Sequence, residues 1–248
     1  DTTMGLKLQY LGWASFLFTT PKGANILTDP FLDGDGELGI PAPPVDYMNL
    51  DIDLIAASHP AEDHFGQAVK ILKNSLKTKV LGDHSTLIIS QAGGVEAQRC
   101  ELTTAGATYI EGDMKIKAFV ACHIALGHLP DGGLITGEPL CYIMSCEGCP
   151  TVFFGGDTSI TMDMKLWGEV YKPEVAIIGI GGVDLSGRSL DEMDPEDAAI
   201  CCRLLGVKKV IPMHYRGEDY LARFKAALAK ESPECQCVAM AYGETVQL

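Results

Sequence analysis

The fold of this chain is decided by the stretch Ser58-His59-Pro60-Ala61-Glu62-Asp63-His64-Phe65-Gly66. The apolar run Leu54-Ile55-Ala56-Ala57 precedes it and is typical of a buried strand. Pro60 prevents that strand from continuing, and Gly66 opens a stretch with helical spacing of its apolar residues. Two imidazoles and two carboxylates are therefore expected on a loop at the carboxyl end of a strand, where open α/β sheets place their sites.

Histidine and aspartate in one short loop favour a divalent metal such as zinc, manganese or iron. A structural interpretation competes with this one, because a single histidine after a strand is usually a surface residue and Asp63 could simply cap the next helix. The metal site becomes the stronger hypothesis if similar residues follow other strands. Three such residues are present, because His123, Asp157 and His214 each come directly after a run predicted to be a strand.

The composition excludes several classes of protein. With 248 residues, 47% of them hydrophobic and 21% charged, the chain is expected to form one globular domain over residues 1–248. A formal net charge of -14 without a run of Lys or Arg argues against a nucleic-acid partner, because such affinity comes mainly from neutralising phosphates. No apolar stretch approaches the ~18 residues that span a bilayer, so no membrane partner is expected.

The amino terminus and the cysteines bear on location. Asp1-Thr2-Thr3-Met4 has no basic region followed by an apolar segment, so no signal peptide is expected, and residues 1–3 resemble a cloning remnant. Nine scattered cysteines are typical of reduced thiols rather than of a disulfide framework, which predicts a cytoplasmic protein. Cys146 and Cys149 lack a second Cys or His pair, so their expected role is structural. The oligomeric state is left open between a monomer and a homo-oligomer.

Periodicity divides the chain into two similar halves, each an antiparallel meander followed by an α/β segment. The clearest helix signal has Asp194 at the N-cap, Pro195 in the first turn and Gly206 past the end. Strands are predicted at 6–10, 16–20, 25–28, 54–57, 80–81, 108–110, 115–120, 140–145, 151–154, 175–178, 209–211 and 237–239, and further helices at 67–76, 162–170 and 220–229. This pattern predicts a sandwich of two mixed β-sheets with helices outside.

Six potential metal ligands share one position, directly after predicted strands: His59, Asp63, His64, His123, Asp157 and His214. Helix capping explains one or two such placements but not all six, so together they favour a single metal site. His84 and His128 are expected to matter far less, with a structural role favoured for His84. Asp33 and Asp35 lack the other ligands of a calcium loop.

In this order the six residues resemble the signature of the metallo-β-lactamase superfamily, which is His-x-His-x-Asp-His, a distant His, a bridging Asp and a late His. Further motifs are similar to those of a branch of small metal-dependent hydrolases that includes ascorbate-6-phosphate lactonase: Leu27-Thr28-Asp29-Pro30, Gly137-Glu138-Pro139, Gly155-Gly156-Asp157-Thr158, residues 171–175, Gly181-Gly182, residues 193–199 and Ile211-Pro212-Met213-His214-Tyr215. The resemblance covers essentially the whole chain. It implies an α/β fold, a four-layer αββα sandwich of two mixed β-sheets flanked by helices, with the metals at one edge between the sheets.

One position departs from the signature, because Ala61 stands where its second His is expected. The resemblance implies two sets of ligands: His59, the missing His, His123 and a bridging Asp157 in one, and Asp63, His64, Asp157 and His214 in the other. The second set keeps four protein donors and is expected to bind its ion more tightly. Ala61 is either a natural variation or an engineered change, and its neighbour Glu62 is not expected to replace the missing donor.

The resemblance implies a metal-dependent hydrolase for a small-molecule lactone, ester, amide or phosphoester, with one or two ions, zinc or manganese ahead of iron. Such a metal lowers the pKa of a water towards ~7 and supplies the nucleophile. Asp63 would ligate and hold the water, Asp157 would bridge, and Tyr215 would either donate to the substrate or simply pack.

Two alternatives stay open at this stage. His59, His123 and Asp157 alone match the two-histidine, one-carboxylate set of non-haem iron oxygenases, and the superfamily contains persulfide dioxygenases that look like this. Ala61, taken alone, favours a metal-impaired variant that binds a ligand but turns it over poorly. Metal content separates the first alternative from hydrolysis, and restoring His at position 61 tests the second.

Overall fold

The computed structural model describes residues 5–248, and residues 1–4, on which the expectation of no signal peptide rests, lie outside the described residues. The strands, in chain order, are β1 Lys7–Gly12, β2 Ser15–Thr19, β3 Asn25–Thr28, β4 Leu54–Ala56, β5 Lys79–Gly82, β6 Cys100–Leu102, β7 Thr108–Glu111, β8 Met114–Val120, β9 Ala125–His128, β10 Leu134–Gly137, β11 Leu140–Ser145, β12 Val152–Phe154, β13 Val175–Gly179, β14 Lys209–Met213, β15 Gln236–Cys237 and β16 Thr245–Gln247. The helices are α1 Glu62–Phe65, α2 Ala68–Asn74, α3 His84–Ala92, α4 Asp163–Tyr171, α5 Pro195–Leu205 and α6 Glu218–Glu231. None of the helices within residues 5–248 is long and apolar enough to cross a membrane.

Most of these strands form two seven-stranded sheets built on the same plan. The first has the order β16-β1-β2-β3-β4-β5-β6, with antiparallel pairing from β16 to β3 and parallel pairing from β3 to β6. The second has the order β15-β14-β13-β12-β11-β8-β7, with antiparallel pairing from β7 to β12 and parallel pairing from β12 to β15. Each half of the chain thus supplies a meander followed by parallel strands, as the periodicity predicts.

Apolar side chains divide the molecule into four layers. The inner faces of the two sheets form a central core that contains the fully buried Phe16 and Phe154. A second core, with Phe224, lies between the second sheet and helices α4, α5 and α6, and a third, with Leu72, lies between the first sheet and helices α2 and α3. Burying each such side chain stabilises the fold by roughly 1.5–3 kcal/mol. The layers confirm the predicted αββα sandwich.

Helix α5 has the boundaries that its sequence predicts. The Asp194 side chain accepts a hydrogen bond from the Asp197 backbone N–H at 2.8 Å, and Pro195 occupies the first turn, where no N–H is needed. Gly206 ends the helix with a φ of 69°, a conformation that side chains with a Cβ rarely adopt.

Several short elements differ from the prediction. Strands β6 and β16 lie at sheet edges, and the separate hairpin β9–β10 has mostly exposed residues in β10, so none of them carries a strong apolar pattern. His128 is the last residue of β9, a strand that the sequence pattern does not predict. Asp63 and His64 lie in the one-turn helix α1, not on a loop, and Gly66 closes that helix instead of opening the next. Glycine is required there because an added Cβ would lie 2.8 Å from the Pro30 carbonyl oxygen.

Strands β4, β8, β12 and β14 all end at one edge of the sandwich. In the second sheet, β8, β12 and β14 run in the same direction, so their carboxyl ends meet. The Leu140 N–H at the start of β11 donates to the Ser58 carbonyl oxygen at 2.8 Å, which brings the end of β4 to the same edge. The four loops that carry the predicted ligands therefore come together between the sheets.

Candidate metal centre

Six side chains converge at this edge and form two clusters that share Asp157. The four-donor cluster consists of Asp63, His64, Asp157 and His214, and the three-donor cluster consists of His59, His123 and Asp157. Within each cluster the candidate ligand atoms all lie within 4.8 Å of one another. The fold thus brings together all six residues that the sequence singles out as metal ligands.

The spacing in the four-donor cluster suits a single ion. His64 Nε2 lies 2.9 Å from Asp157 Oδ2, 3.5 Å from Asp63 Oδ2 and 3.2 Å from His214 Nε2. His214 Nε2 lies 3.3 Å from Asp63 Oδ2 and 3.3 Å from Asp157 Oδ1. Donors that are each 2.0–2.2 Å from a tetrahedral zinc ion are roughly 3.3–3.6 Å from one another. The observed separations are close to that range.

The three-donor cluster is more open. His59 Nε2 lies 3.7 Å and His123 Nε2 lies 3.5 Å from Asp157 Oδ2. Within residues 5–248 no fourth donor joins this cluster. Ala61 offers only a methyl group, and Glu62 is exposed and lines a separate cavity with His128. The alanine at position 61 therefore removes a donor from the three-donor cluster and leaves the four-donor cluster complete.

Carboxylates orient both imidazoles of the four-donor cluster. His64 Nδ1 lies 2.7 Å from Asp29 Oδ2, and His214 Nδ1 lies 3.1 Å from Glu192 Oε2. Each carboxylate accepts the Nδ1 proton, so Nε2 of the same ring points inward. A histidine that ligates a metal almost always donates its other ring N–H in this way, and a carboxylate partner raises its basicity.

Uncharged oxygens orient the imidazoles of the three-donor cluster. The Ser58 hydroxyl donates to Asp29 Oδ2 at 2.6 Å, so its oxygen is left to accept from His59 Nδ1 at 2.8 Å. His123 Nδ1 lies 3.2 Å from the Asp191 backbone carbonyl oxygen, which is its nearest acceptor, and 3.7 Å from the Asp191 carboxylate. Both rings therefore carry the proton on Nδ1 and present an Nε2 lone pair to the centre. Hydroxyl and carbonyl acceptors polarise an imidazole less than a carboxylate does.

Two buried atoms at the centre have no hydrogen-bond partner. His59 Nε2 and Asp157 Oδ1 are both inaccessible to water and form no hydrogen bond, although His214 Nε2 lies 3.3 Å from Asp157 Oδ1, and leaving such groups unsatisfied costs about 1–3 kcal/mol each. Imidazole nitrogen and carboxylate oxygen are the donor types that zinc, manganese and iron take from proteins. The residues present therefore fit a divalent ion, which would satisfy the two buried atoms that no protein group within residues 5–248 satisfies.

Burial and charge set the protonation of these groups. Burial and the neighbouring His64 lower the pKa of His59 to about 3, so its imidazole is neutral at pH 7. Burial also opposes a charge on His214, but the Asp157 and Glu192 carboxylates raise the pKa of His214 to about 10. The pKa of His64 is raised well above its ordinary value by Asp157, again against burial. The four-donor cluster is thus negative enough to hold positive charge, either protons or a metal ion.

Trp13 forms a wall of the four-donor cluster. Its Nε1 donates to Asp63 Oδ2 at 3.1 Å, and its indole packs on the His214 imidazole with 4.1 Å between ring centroids. Trp13, Asp29 and His214 all have left-handed backbones, with φ of 54°, 33° and 54°. Such a conformation costs roughly 1–3 kcal/mol in a non-glycine residue and tends to occur at functional sites. Within residues 5–248, the only other non-glycine residue with a left-handed backbone is Lys172, the C-cap of α4.

The remaining residues considered from the sequence lie elsewhere. Tyr215 lines a cavity beside the four-donor cluster, and burial raises its pKa to about 12, so its phenol is neutral. His84 and His128 are exposed and belong to neither cluster. Cys146 is buried in the central core and Cys149 packs against it, a packing role like the one expected.

Sequence reasoning missed the residues that orient the ligands. Asp29 follows strand β3, so the rule that identifies residues after strands would have found it. Ser58 stands next to a predicted ligand and carried a similar signal. Glu192 and Trp13 have no local signal, because only the tertiary fold brings them to the centre.

Comparisons with known proteins cover both the fold and the centre. Residues 7–214 match the family model described as Beta-lactamase superfamily domain, and this range contains all six predicted ligands. The chain is 34% identical over 213 residues to a UPF0173 metal-dependent hydrolase of Rubrobacter xylanophilus, spanning 85% of this chain and 82% of that protein. It is 35% identical over 211 residues to a UPF0173 metal-dependent hydrolase of Methanopyrus kandleri, spanning 85% and 84%.

A solved structure extends the similarity to the whole sandwich. Igni18, a metallo hydrolase from the hyperthermophilic archaeon Ignicoccus hospitalis, superposes with a TM-score of 0.77 and 25% sequence identity. The match covers 98% of each chain. It therefore includes both sheets and the loops that end at the candidate centre.

Proposed function

The chain belongs to the metallo-β-lactamase superfamily and is a metal-dependent hydrolase; from that premise we propose that it hydrolyses a small-molecule lactone, ester, amide or phosphoester. The proposed metal ligands are His59, Asp63, His64, His123, Asp157 and His214. Lactones are included because several motifs are similar to those of ascorbate-6-phosphate lactonase. We also propose that residues 1–248 act as one domain, which is supported by a central core drawn from both halves of the chain.

One observation carries the proposal. Four imidazoles from the segments that follow β4, β8 and β14 all present Nε2 to a common centre, and each has an oxygen acceptor at Nδ1. Structural histidines have no reason to share this orientation, whereas metal ligands require it. Two carboxylates complete a donor set of nitrogen and oxygen, and the unpaired His59 Nε2 and Asp157 Oδ1 are the atoms that an ion would satisfy.

We propose that zinc or manganese occupies the four-donor cluster first and that the three-donor cluster binds a second ion more weakly. A bound ion would lower the pKa of a water towards ~7 and stabilise negative charge that develops on the substrate. Asp157 would serve both clusters. The difference in affinity follows from the number of protein donors and from the carboxylates behind His64 and His214.

The protein's own residues have separable tasks in this scheme. The Asp63 side chain is 39% exposed, while Asp157 is buried, so Asp63 is the carboxylate that faces the substrate side. One of its oxygens accepts from Trp13 Nε1, which leaves the other to orient a water and take its proton. Tyr215, neutral because burial raises its pKa to about 12, can donate a hydrogen bond to the substrate.

A second candidate function rests on the three-donor cluster. His59, His123 and Asp157 form the two-histidine, one-carboxylate set of non-haem iron oxygenases. In that case Asp63, His64 and His214 would only support it. Their own clustering around a common point favours hydrolysis over a mononuclear site of that kind, which uses a single set of two histidines and one carboxylate. A third candidate, a metal-impaired variant, depends on Ala61 alone.

Elemental analysis combined with two assays tests the proposal. We expect roughly one to two zinc or manganese ions per chain, acid release from phenyl acetate or a simple lactone, and loss of that activity on chelation. Added metal should restore it. Iron as the bound metal, with oxygen uptake and no acid release, would contradict hydrolysis and support the second candidate. Bound metal with neither activity would favour the impaired variant.

We further propose a reducing, cytoplasmic location and a small-molecule substrate without nucleic-acid or membrane partners. The nine scattered cysteines support the first, and the net charge of -14 supports the second. The choice between a monomer and a homo-oligomer is a matter for solution measurement.

A further inference from the structure

We propose that a cavity next to the four-donor cluster binds a benzene-sized aromatic carboxylate as one half of the substrate. The catalytic meaning of this inference rests on the proposed hydrolysis, but the binding itself does not. The cavity has a volume of about 200 Å³ and is lined by Tyr10, Trp13, Tyr215, Arg216, Met240 and Tyr242, among others. A cavity of about 150 Å³ lined by apolar side chains can hold benzene, so this one accommodates one ring with a small substituent.

Aromatic side chains build the cavity rigidly. Tyr10 is buried, and its hydroxyl donates to the Trp13 carbonyl oxygen at 2.7 Å. The ring of Tyr242 stands edge-on to that of Tyr10, with 5.1 Å between centroids. Gly12 has a φ of 119°, and a Cβ added there would lie 2.8 Å from the Tyr242 ring, so glycine allows the ring to close in. Walls of this kind favour a flat ring over a flexible chain.

Trp13 places the cavity beside the reacting centre. The same indole that lines the cavity donates to Asp63 and packs on His214. Tyr215 follows His214 directly in the chain and lines the cavity as well. A ring seated here would therefore contact Trp13 and Tyr215, which adjoin the four-donor cluster, and the bond to be hydrolysed would extend past the edge of the Trp13 indole towards that cluster.

Arg216 supplies the charge that the cavity would recognise. Four of the five arginines pair with a carboxylate: Arg99 with Glu96, Arg188 with Asp184, Arg203 with Glu231 and Arg223 with Glu196. Among the described residues, Arg216 has no such partner and donates only to the Leu38 carbonyl oxygen, at 2.9 Å. Arg216 is exposed at the rim of the cavity that it lines, and this single contact leaves most of its N–H groups available.

An exposed guanidinium without a carboxylate partner is available to bind an anionic group of a ligand. A planar carboxylate matches the fork of N–H groups on arginine and forms charge-assisted hydrogen bonds with it. Together the ring-sized cavity and Arg216 define a substrate in which an ester or amide bond is attached to a benzoate-like group. For 4-acetoxybenzoate, water would add to the acetyl carbonyl carbon and the bond from that carbon to the phenolic oxygen would break. The phenolic oxygen would take one proton of the water, the other would be released, and acetate and 4-hydroxybenzoate would leave.

Calorimetric titration with benzoate, benzamide and 2-naphthoate tests the binding without catalysis. We expect benzoate to bind at least about tenfold more tightly than benzamide, because charge-assisted hydrogen bonds contribute more than neutral ones. We also expect benzoate to bind more tightly than 2-naphthoate, which has a second ring. Arg216→Gln should remove the preference for benzoate over benzamide. Arg223→Gln, which breaks an exposed ion pair on α6, is the matched control and should keep it.

Three outcomes would overturn the inference. One is an unchanged preference for benzoate in Arg216→Gln. Another is benzoate binding that disappears on chelation, since this would mean that the metal centre and not the cavity holds the carboxylate. A general apolar site would bind 2-naphthoate more tightly than benzoate, which would also contradict a cavity of this size.

Kinetics then separate this inference from the proposed function. The ratio of kcat/KM for 4-acetoxybenzoate to that for phenyl acetate should fall about tenfold in Arg216→Gln, mainly through KM, and should be unchanged in Arg223→Gln. If neither ester is hydrolysed but the benzoate preference holds, the cavity assignment stands and the choice of hydrolysed bond is wrong. If both esters are hydrolysed with an unchanged ratio, hydrolysis stands and the cavity assignment fails.

Discussion

The two clusters of the candidate centre share Asp157 but are constructed differently. The four-donor cluster has both of its imidazoles backed by carboxylates, Asp29 and Glu192. The three-donor cluster has one imidazole backed by a hydroxyl and the other by a backbone carbonyl oxygen. The three-donor cluster also lacks a donor at Ala61. It therefore has fewer ligands than the four-donor cluster, and its imidazoles are less strongly polarised.

This difference shows where the protein concentrates its negative charge. Carboxylates surround His64 and His214 closely enough to raise the pKa of both imidazoles, whereas burial and His64 lower the pKa of His59 to about 3. An environment that stabilises protons on imidazole also stabilises a cation in their place. The four-donor cluster is thus the expected permanent metal site, and the three-donor cluster the exchangeable one.

Asp157→Ala should have the largest effect, because it removes a donor from both clusters. We expect loss of bound metal and a fall in hydrolysis of at least about 10³-fold. Elemental analysis and an ester assay on the same preparation measure both. Asp131→Ala, which changes an exposed carboxylate in the loop after β9, is the matched control and should keep both. Full metal occupancy in Asp157→Ala would show that Asp157 does not serve the two clusters.

His214→Ala and His123→Ala compare the clusters directly. His214→Ala should remove the tightly bound ion and lower activity by about 10²-fold or more, since the four-donor cluster drops to three. His123→Ala should remove only the weakly bound ion. Counting ions per chain after dialysis against a weak chelator distinguishes the two variants. Equal ion loss in both would mean that the two clusters hold their ions as a single unit.

The ligands could be predicted from the sequence because each follows a strand, and strand ends can be recognised locally. The run Val175-Ala176-Ile177-Ile178, for example, identifies the parallel strand β13, and its neighbours β12 and β14 lead to Asp157 and His214. The two-sheet sandwich could be predicted for the same reason. Short edge strands such as β16 could not, because three half-exposed residues carry little periodicity.

The orienting residues mark the limit of sequence reasoning. Glu192 lies twenty-two residues before His214 in a loop without regular structure, and Trp13 lies fifty residues before Asp63. Nothing in the local pattern indicates that either pair is in contact. Helix α1 shows the opposite problem, since Pro60 and Gly66 suggested a loop while four residues between them form a turn of helix.

Glu192→Gln tests the carboxylate behind His214. The amide keeps an oxygen acceptor for Nδ1 but loses the charge, so metal affinity of the four-donor cluster should fall about 10- to 100-fold. Competition with a chromogenic chelator measures this. Asp191→Asn is the matched control for the four-donor cluster, because the Asp191 carboxylate lies 3.7 Å from His123 Nδ1, beside the other cluster, and the substitution retains the backbone carbonyl that accepts from His123. An equal loss in both variants would indicate a general effect of the loop's charge.

Ala61→His should reduce the difference in metal affinity between the two clusters. It restores the second histidine of the superfamily signature, so we expect the weaker ion to bind about tenfold more tightly, equivalent to about 1.4 kcal/mol. Stepwise titration of the metal-free protein separates the two binding events. Ala61→Phe, with a ring but no nitrogen, is the control for bulk. A large gain in rate together with affinity would identify the present chain as metal-impaired.

His128→Ala should have the smallest effect, less than about twofold on activity and metal content. This histidine is five residues after His123 and would be its obvious replacement in the three-donor cluster, yet its side chain is exposed at the end of β9 and lines a different cavity with Glu62. Exposed residues without a structural partner change stability by no more than about 0.5 kcal/mol. Metal analysis of His128→Ala beside His123→Ala decides between the two. Loss of the weakly bound ion in His128→Ala alone would move the ligand assignment from His123 to His128, and the three-donor cluster would have to be redefined around a rearranged β9–β10 hairpin.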